Sequence, residues 1–185
     1  MIAPGNHWIY DSLRGAPPHR PARMTAMVKK TECMDDDRFP KRKSPRIPGY
    51  DYATPNYYFI TICTHEKRCI FWSNGQLNPL GKIAWDAAAS IREHFPNNWA
   101  DSFVIMPNHI HMILVVAPGG TDASVVMGQY KAYVSKEIHK LDPKLQVWQT
   151  SFHDHGIRNY GQYQRIRAYI ETNPMRWEKD CFYVE

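Results

Sequence analysis

From residue 57 onward the spacing of apolar positions changes period along the chain. Tyr57 to Thr64 is an unbroken run of aromatic and β-branched residues and predicts a buried strand. Asn74-Gly75 and Asn78-Pro79 mark turns. Ile83, Ala87, Ile91 and Phe95 then recur every four residues, with Asn78 able to cap, Pro79 near the first turn and Pro96 at the end. This predicts an amphipathic helix. Ser102–Met106 and His109–Val116 read as two strands of a hairpin broken at Pro107-Asn108. Past Pro118-Gly119-Gly120, residues 122–140 predict a second helix with Val126, Tyr130, Tyr133 and Val134 on one face. Residues 146–158 read as a loop with room for a short strand ending at Ile157. Residues 161–173 predict a third helix that turns Tyr163, Ile166 and Ile170 inward and stops at Pro174. The order β-α-β-β-α-(β)-α predicts an α+β, ferredoxin-like (RRM-like) sandwich: an antiparallel sheet with helices on one face.

Composition sets the scale. The chain has 185 residues, 43% hydrophobic and 13% aromatic, enough for one cored domain plus some excess. No apolar stretch approaches a membrane span, and residues 1–10 carry no secretory apolar core. Cys33, Cys63, Cys69 and Cys181 form no CxxC pair and are expected as reduced thiols in a cytoplasmic, nucleoid-associated protein. The net charge is +5, and all of it belongs to residues 1–48, which hold 10 Lys+Arg against 5 Asp+Glu and 7 of the 14 prolines. Residues 1–48 are therefore expected to be a flexible basic extension and residues 49–185 the folded domain. Lys41-Arg42-Lys43 with Arg46 can touch phosphates, although a solvated linker is the ordinary reading of such a run.

The chemistry lies in two segments. His109-Ile110-His111 sits on a strand, so its imidazoles project to one face and can share a metal ion while Ile110 enters the core. With nine histidines, about 0.4 such triplets are expected by chance. A second, His153-Asp154-His155, lies in a polar loop and reads as hydrogen-bonded loop histidines. The first pair also fits half-buried, satisfied histidines when taken alone. In the second segment, Tyr169 and Asn173 stand one helical turn apart, and Arg165 precedes them on the same face. A phenol can attack phosphorus when a metal and cationic donors stabilise the phosphate oxygens. The amide oxygen of Asn173 can complete a site beside two imidazoles, a donor set suited to Mg²⁺ or Mn²⁺. A tyrosine on an amphipathic helix is otherwise an ordinary boundary packing residue.

Together these segments resemble the HUH family of single-tyrosine enzymes that cut single-stranded DNA, and more narrowly the REP-associated tyrosine transposases. The resemblance rests on Tyr58-Phe59-Ile60-Thr61, on Phe103–His111 with its Met-Pro-Asn-His-Ile-His string, on Val147–Arg158, and on Tyr169-Ile170-x-x-Asn173-Pro174-x-x-Trp177. It implies that His109 and His111 bind the divalent ion. It also implies that Tyr169 attacks a phosphodiester to give a 5′-phosphotyrosyl link and a free 3′-OH. Related transposases carry Gln where this chain has Asn173. Expected partners are single-stranded or hairpin DNA, no membrane, and either a monomer or a homodimer. Lys131, Arg158 and Arg165 are candidate phosphate contacts, and Trp148, Phe152, Tyr160 and Tyr163 are candidate base-stacking residues. The competing reading is a non-catalytic RRM-like binder or a domesticated regulator; a small metal hydrolase is a third.

Overall fold

The computed structural model describes residues 54–184. The basic extension expected over 1–48 lies outside them. Four antiparallel strands form the sheet: β1 (Asn56–Cys63), β4 (Asn98–Ile105), β5 (His109–Val116) and β6 (His153–Gly156), in the order β4-β5-β1-β6. A two-residue-per-strand ribbon, β2 (Trp72–Ser73) and β3 (Gln76–Leu77), turns at Asn74-Gly75. Both turn residues have positive φ, 51° and 74°, a backbone region that Asn tolerates and Gly enters freely.

The first predicted helix forms, with the expected cap: the Asn78 side chain accepts from the Gly81 N–H at 2.9 Å. It runs as α1 (Pro79–Ala89) and a last turn α2 (Ile91–His94), interrupted at Ser90, whose hydroxyl donates to the Ala87 carbonyl. Helix α3 (Ala123–His139) buries Ala123, Val126, Met127, Tyr130, Val134 and Ile138. Tyr133 was expected on this face but is 50% exposed, because the buried stripe centres further round, toward Met127 and Ile138. Strand β4 begins at Asn98, four residues earlier than expected, and its register shifts between Ala100 and Ser102. That bulge frees the Asp101 carboxylate to accept from the Tyr163 hydroxyl on α4 (Tyr160–Thr172).

The helix placement corrects one expectation. Helices α1 and α3 cover one sheet face, over Tyr58, Ile60, Ile62, Ile110, Met112 and Leu114. Helix α4 packs on the opposite face, where Ile166 and Ile170 meet Phe59, Val104, Met106 and Ile113. All eight residues of β5 are buried, so this strand has an apolar side on both faces and cannot leave either to solvent. The two histidines share the α4 side with Ile113.

Cysteine chemistry differs in part from expectation. Cys69 is an exposed free thiol, but Cys181 is disulfide-bonded. Cys33 lies outside the described residues. No helix among the described residues is long and apolar enough to cross a membrane.

Candidate active site

The sheet register builds the histidine pair. Thr61 on β1 lies opposite His111, and Cys63 lies opposite His109. The Thr61 hydroxyl bonds His111 Nδ1 at 2.9 Å, and His109 Nδ1 bonds the Asn108 amide oxygen at 2.9 Å. Each imidazole is thereby held through Nδ1, and each presents Nε2 toward the other side of the ring. The ring centroids are 4.5 Å apart. Phe59 stacks on His111 at 5.2 Å and 28°, while Phe182 and Trp177 pack on His109.

Helix α4 brings the tyrosine to this pair. Ile166 and Ile170 anchor the helix on the sheet, which leaves Tyr169 half-buried over the histidines. The Tyr169 phenol oxygen is 3.2 Å from His111 Nε2 and 3.3 Å from Asp180 Oδ2. Asn173, 2% exposed, donates its amide to the same Asp180 oxygen at 2.9 Å. Asp180 Oδ1 accepts from the Phe182 backbone N–H at 2.7 Å. The ligating atoms of His109, His111 and Asp180 all lie within 4.8 Å of one another.

Burial fixes the charge state of the histidines. His109 is pushed down to about 3 by desolvation, with Lys67 adding to the shift. His111 is held well below its ordinary value, first by desolvation and then by His109, against an opposing pull from Asp180. Both rings are therefore neutral near pH 7, the form that offers a lone pair to a metal. Two buried polar atoms lack a hydrogen-bond partner among the described residues in this cluster: His109 Nε2 and Asn173 Oδ1. An orphaned acceptor in a closed core is costly unless something binds it. The donor set of imidazole nitrogen and carboxylate or amide oxygen fits a divalent metal ion.

The structure thus gathers Tyr169, His109, His111 and Asn173, four of the residues singled out in the sequence. It adds Asp180, Thr61 and Asn108. Asp180 has no periodic signal, since it sits beyond α4 at the end of the 3₁₀ turn Asn173–Lys179. Thr61 needs the strand register, but Asn108 could have been read from its place beside His109. The expected phosphate contacts stand apart from this cluster: no hydrogen bond or ion pair joins Lys131, Arg158 or Arg165 to it among the described residues. The Lys131 ammonium is gathered by the carbonyls of Gln149, Thr150 and Ser151. Arg158 and Arg165 are exposed. Trp148 is buried and donates to the Lys131 carbonyl, whereas Tyr160 is 48% exposed and stacks on Tyr163. His153 and His155 are on β6, and His155 bonds Gln162 on α4. A groove of about 560 Å³ lies beside the site, between the β2–β3 ribbon and residues 174–179.

An antiparallel ferredoxin-like sheet carries the paired histidines on a central strand, with the tyrosine helix laid over them. The profile of the family described as "Transposase IS200 like" matches residues 56–173. This chain belongs to that family. An uncharacterised protein of Haemophilus influenzae is 32% identical over 169 residues, covering 78% of this chain and 94% of its own. A REP-associated tyrosine transposase of Escherichia coli K12 is 30% identical over 81 residues, 43% of this chain and 47% of its own. The solved structure of a REP-associated tyrosine transposase bound to a REP hairpin superposes with a TM-score of 0.51 at 20% identity. That match covers 66% of this chain and 68% of the other, and it supports the fold.

Proposed function

We propose that this protein cuts and rejoins single-stranded, hairpin-bearing DNA through Tyr169, with a divalent ion, Mg²⁺ or Mn²⁺, held by His109 and His111 and completed by an oxygen donor from the Asn173–Asp180 pair. The observation that carries the reading is the phenol oxygen 3.2 Å from His111 Nε2, with His109 Nε2 buried beside it and unpartnered. When bound, the ion would neutralise charge on the non-bridging phosphate oxygens. The chain's own residues do the positioning. Phe59 and the Thr61 hydroxyl fix His111, Asn108 fixes His109, and Ile166 with Ile170 fix the height of Tyr169 above them.

In the reaction, the Tyr169 oxygen–phosphorus bond forms as the bond from phosphorus to the 3′ oxygen breaks. The phenol gives its proton to solvent and the released 3′ oxygen takes one up. Attack by a 3′-OH reverses the exchange, restoring the phenol and rejoining the strand. Arg165, one turn before Tyr169, and Arg158 at the foot of α4 are the exposed cations for flanking phosphates. Lys131 contributes by holding the 149–151 loop through its carbonyls.

The test is incubation with single-stranded hairpin DNA and Mn²⁺ on a denaturing gel. A protein–DNA adduct is expected, absent in Tyr169→Phe and after chelation. A binder without chemistry would retard the DNA equally with or without the phenol and give no adduct. A hydrolase would turn over in Tyr169→Phe but not in His111→Ala.

A further inference from the structure

We propose that Lys67 is a further catalytic residue, whose ammonium meets the non-bridging oxygens of the scissile phosphate. The proposal rests on the strand-transfer reading above and adds a protein cation to it.

Lys67 ends the short turn His65–Lys67 that follows β1. Glu66 and Lys67 have φ of 54° and 56°, two successive non-glycine residues in the left-handed region. A free surface turn avoids that cost with Gly or Asn, so this backbone is held by its surroundings. The Lys67 N–H donates to the Thr64 carbonyl, and the Lys67 carbonyl accepts from the Asn108 amide, each at 3.1 Å. The oxygen of the same Asn108 side chain bonds His109 Nδ1 at 2.9 Å. One amide thus sets the place of both the lysine and the imidazole.

The charged side chains of this turn divide. Glu66 and Arg68 are exposed and pair with each other. Lys67 is half-buried, and its ammonium makes no hydrogen bond or ion pair among the described residues. It lies 5.0 Å from the centroid of the Phe182 ring, which packs on His109 at 4.6 Å and lies 6.0 Å from the His111 ring. Its charge is felt at His109, where it adds to desolvation in lowering the proton affinity. An ammonium with only a ring for company has lost water without gaining an anion. A phosphodiester seated over the histidines supplies that anion. The flexible four-carbon stem lets the ammonium pass from the ring to an oxygen without disturbing the turn. Phosphoryl transfer draws on the protein almost entirely for positioning and for charge stabilisation at these oxygens, which is what a cation placed here provides.

The experiment follows the rate of adduct formation by the full chain with saturating single-stranded hairpin DNA and Mn²⁺. Beside it, a Mn²⁺ titration without DNA is read by the electron paramagnetic resonance signal of free Mn²⁺. Lys67→Met is expected to slow the adduct about 100-fold, and Lys67→Arg to restore it to within about tenfold of the parent. Mn²⁺ affinity should hold or rise in Lys67→Met, because a charge that repels the ion is gone. Lys67→Gly suits the φ of 56°, so it should keep the metal-free melting temperature while losing the rate as Met does. The proposal is overturned if Lys67→Met forms the adduct within about threefold of the parent rate, or if its Mn²⁺ affinity and melting temperature fall along with the rate. A parent chain that gives no adduct overturns the strand-transfer reading itself, and this proposal with it.

Discussion

Asn108 ties three parts of the site together, and removing its side chain should separate stability from metal binding. It is fully buried. Its amide donates to the Phe182 carbonyl at 2.8 Å and to the Lys67 carbonyl at 3.1 Å, and its oxygen accepts from His109 Nδ1 at 2.9 Å. Asn108→Ala deletes all three bonds and leaves their partners buried. At about 1 kcal/mol net for each, the loss is about 3 kcal/mol. The His109 ring also loses the contact that fixes its tautomer, which costs 10- to 100-fold in metal affinity for a group of this kind. Urea unfolding followed by tryptophan fluorescence reads the first effect and Mn²⁺ titration the second. Asn108→Asp keeps an acceptor for Nδ1–H but loses both donors, so it should lose stability as Ala does while holding more of the affinity. The reasoning is refuted if Asn108→Ala binds Mn²⁺ like the parent, or if Asp and Ala lose the same affinity.

Thr61→Val removes the hydroxyl on His111 Nδ1 with little change of shape, and should weaken Mn²⁺ binding by roughly tenfold or more with a stability loss of about 1 kcal/mol, measured by the same two assays. In metal-free protein the folded state keeps His109 and His111 neutral, while the unfolded chain protonates them below about pH 6.5. The unfolded state then binds more protons, so stability should fall as pH drops from 6.5 toward 5, by up to about 1.4 kcal/mol per pH unit for each ring. A flat profile of urea midpoints over that range would contradict this. Mn²⁺ at about 100 times its dissociation constant should raise the unfolding free energy by about 2.7 kcal/mol, and His111→Ala should abolish that rise. Gly81→Ala should destabilise the fold by about 1–3 kcal/mol in urea, since a Cβ there would meet the Phe71 carbonyl oxygen and the Leu77 side chain well inside contact distance.

The sequence by itself determined the local elements and the chemical candidates. Alternation along β5 placed His109 and His111 on one face, since a strand has a period of two. The helical period placed Tyr169 and Asn173 on one face of α4, and Asn78 with Pro79 marked where α1 begins. These are short-range consequences of backbone geometry, and they do not depend on what packs nearby. Tertiary structure alone decided which sheet face α4 covers, and so whether the phenol meets the imidazoles at all. It also set the register that puts Thr61 against His111. It brought Asp180 back onto Tyr169 and Asn173 from eleven and seven positions away, and turned Lys131 into a loop clamp. The covering of that face by α4 follows from burying both faces of β5 at once, and the other contacts join residues distant in the chain, so no local window of residues contains them.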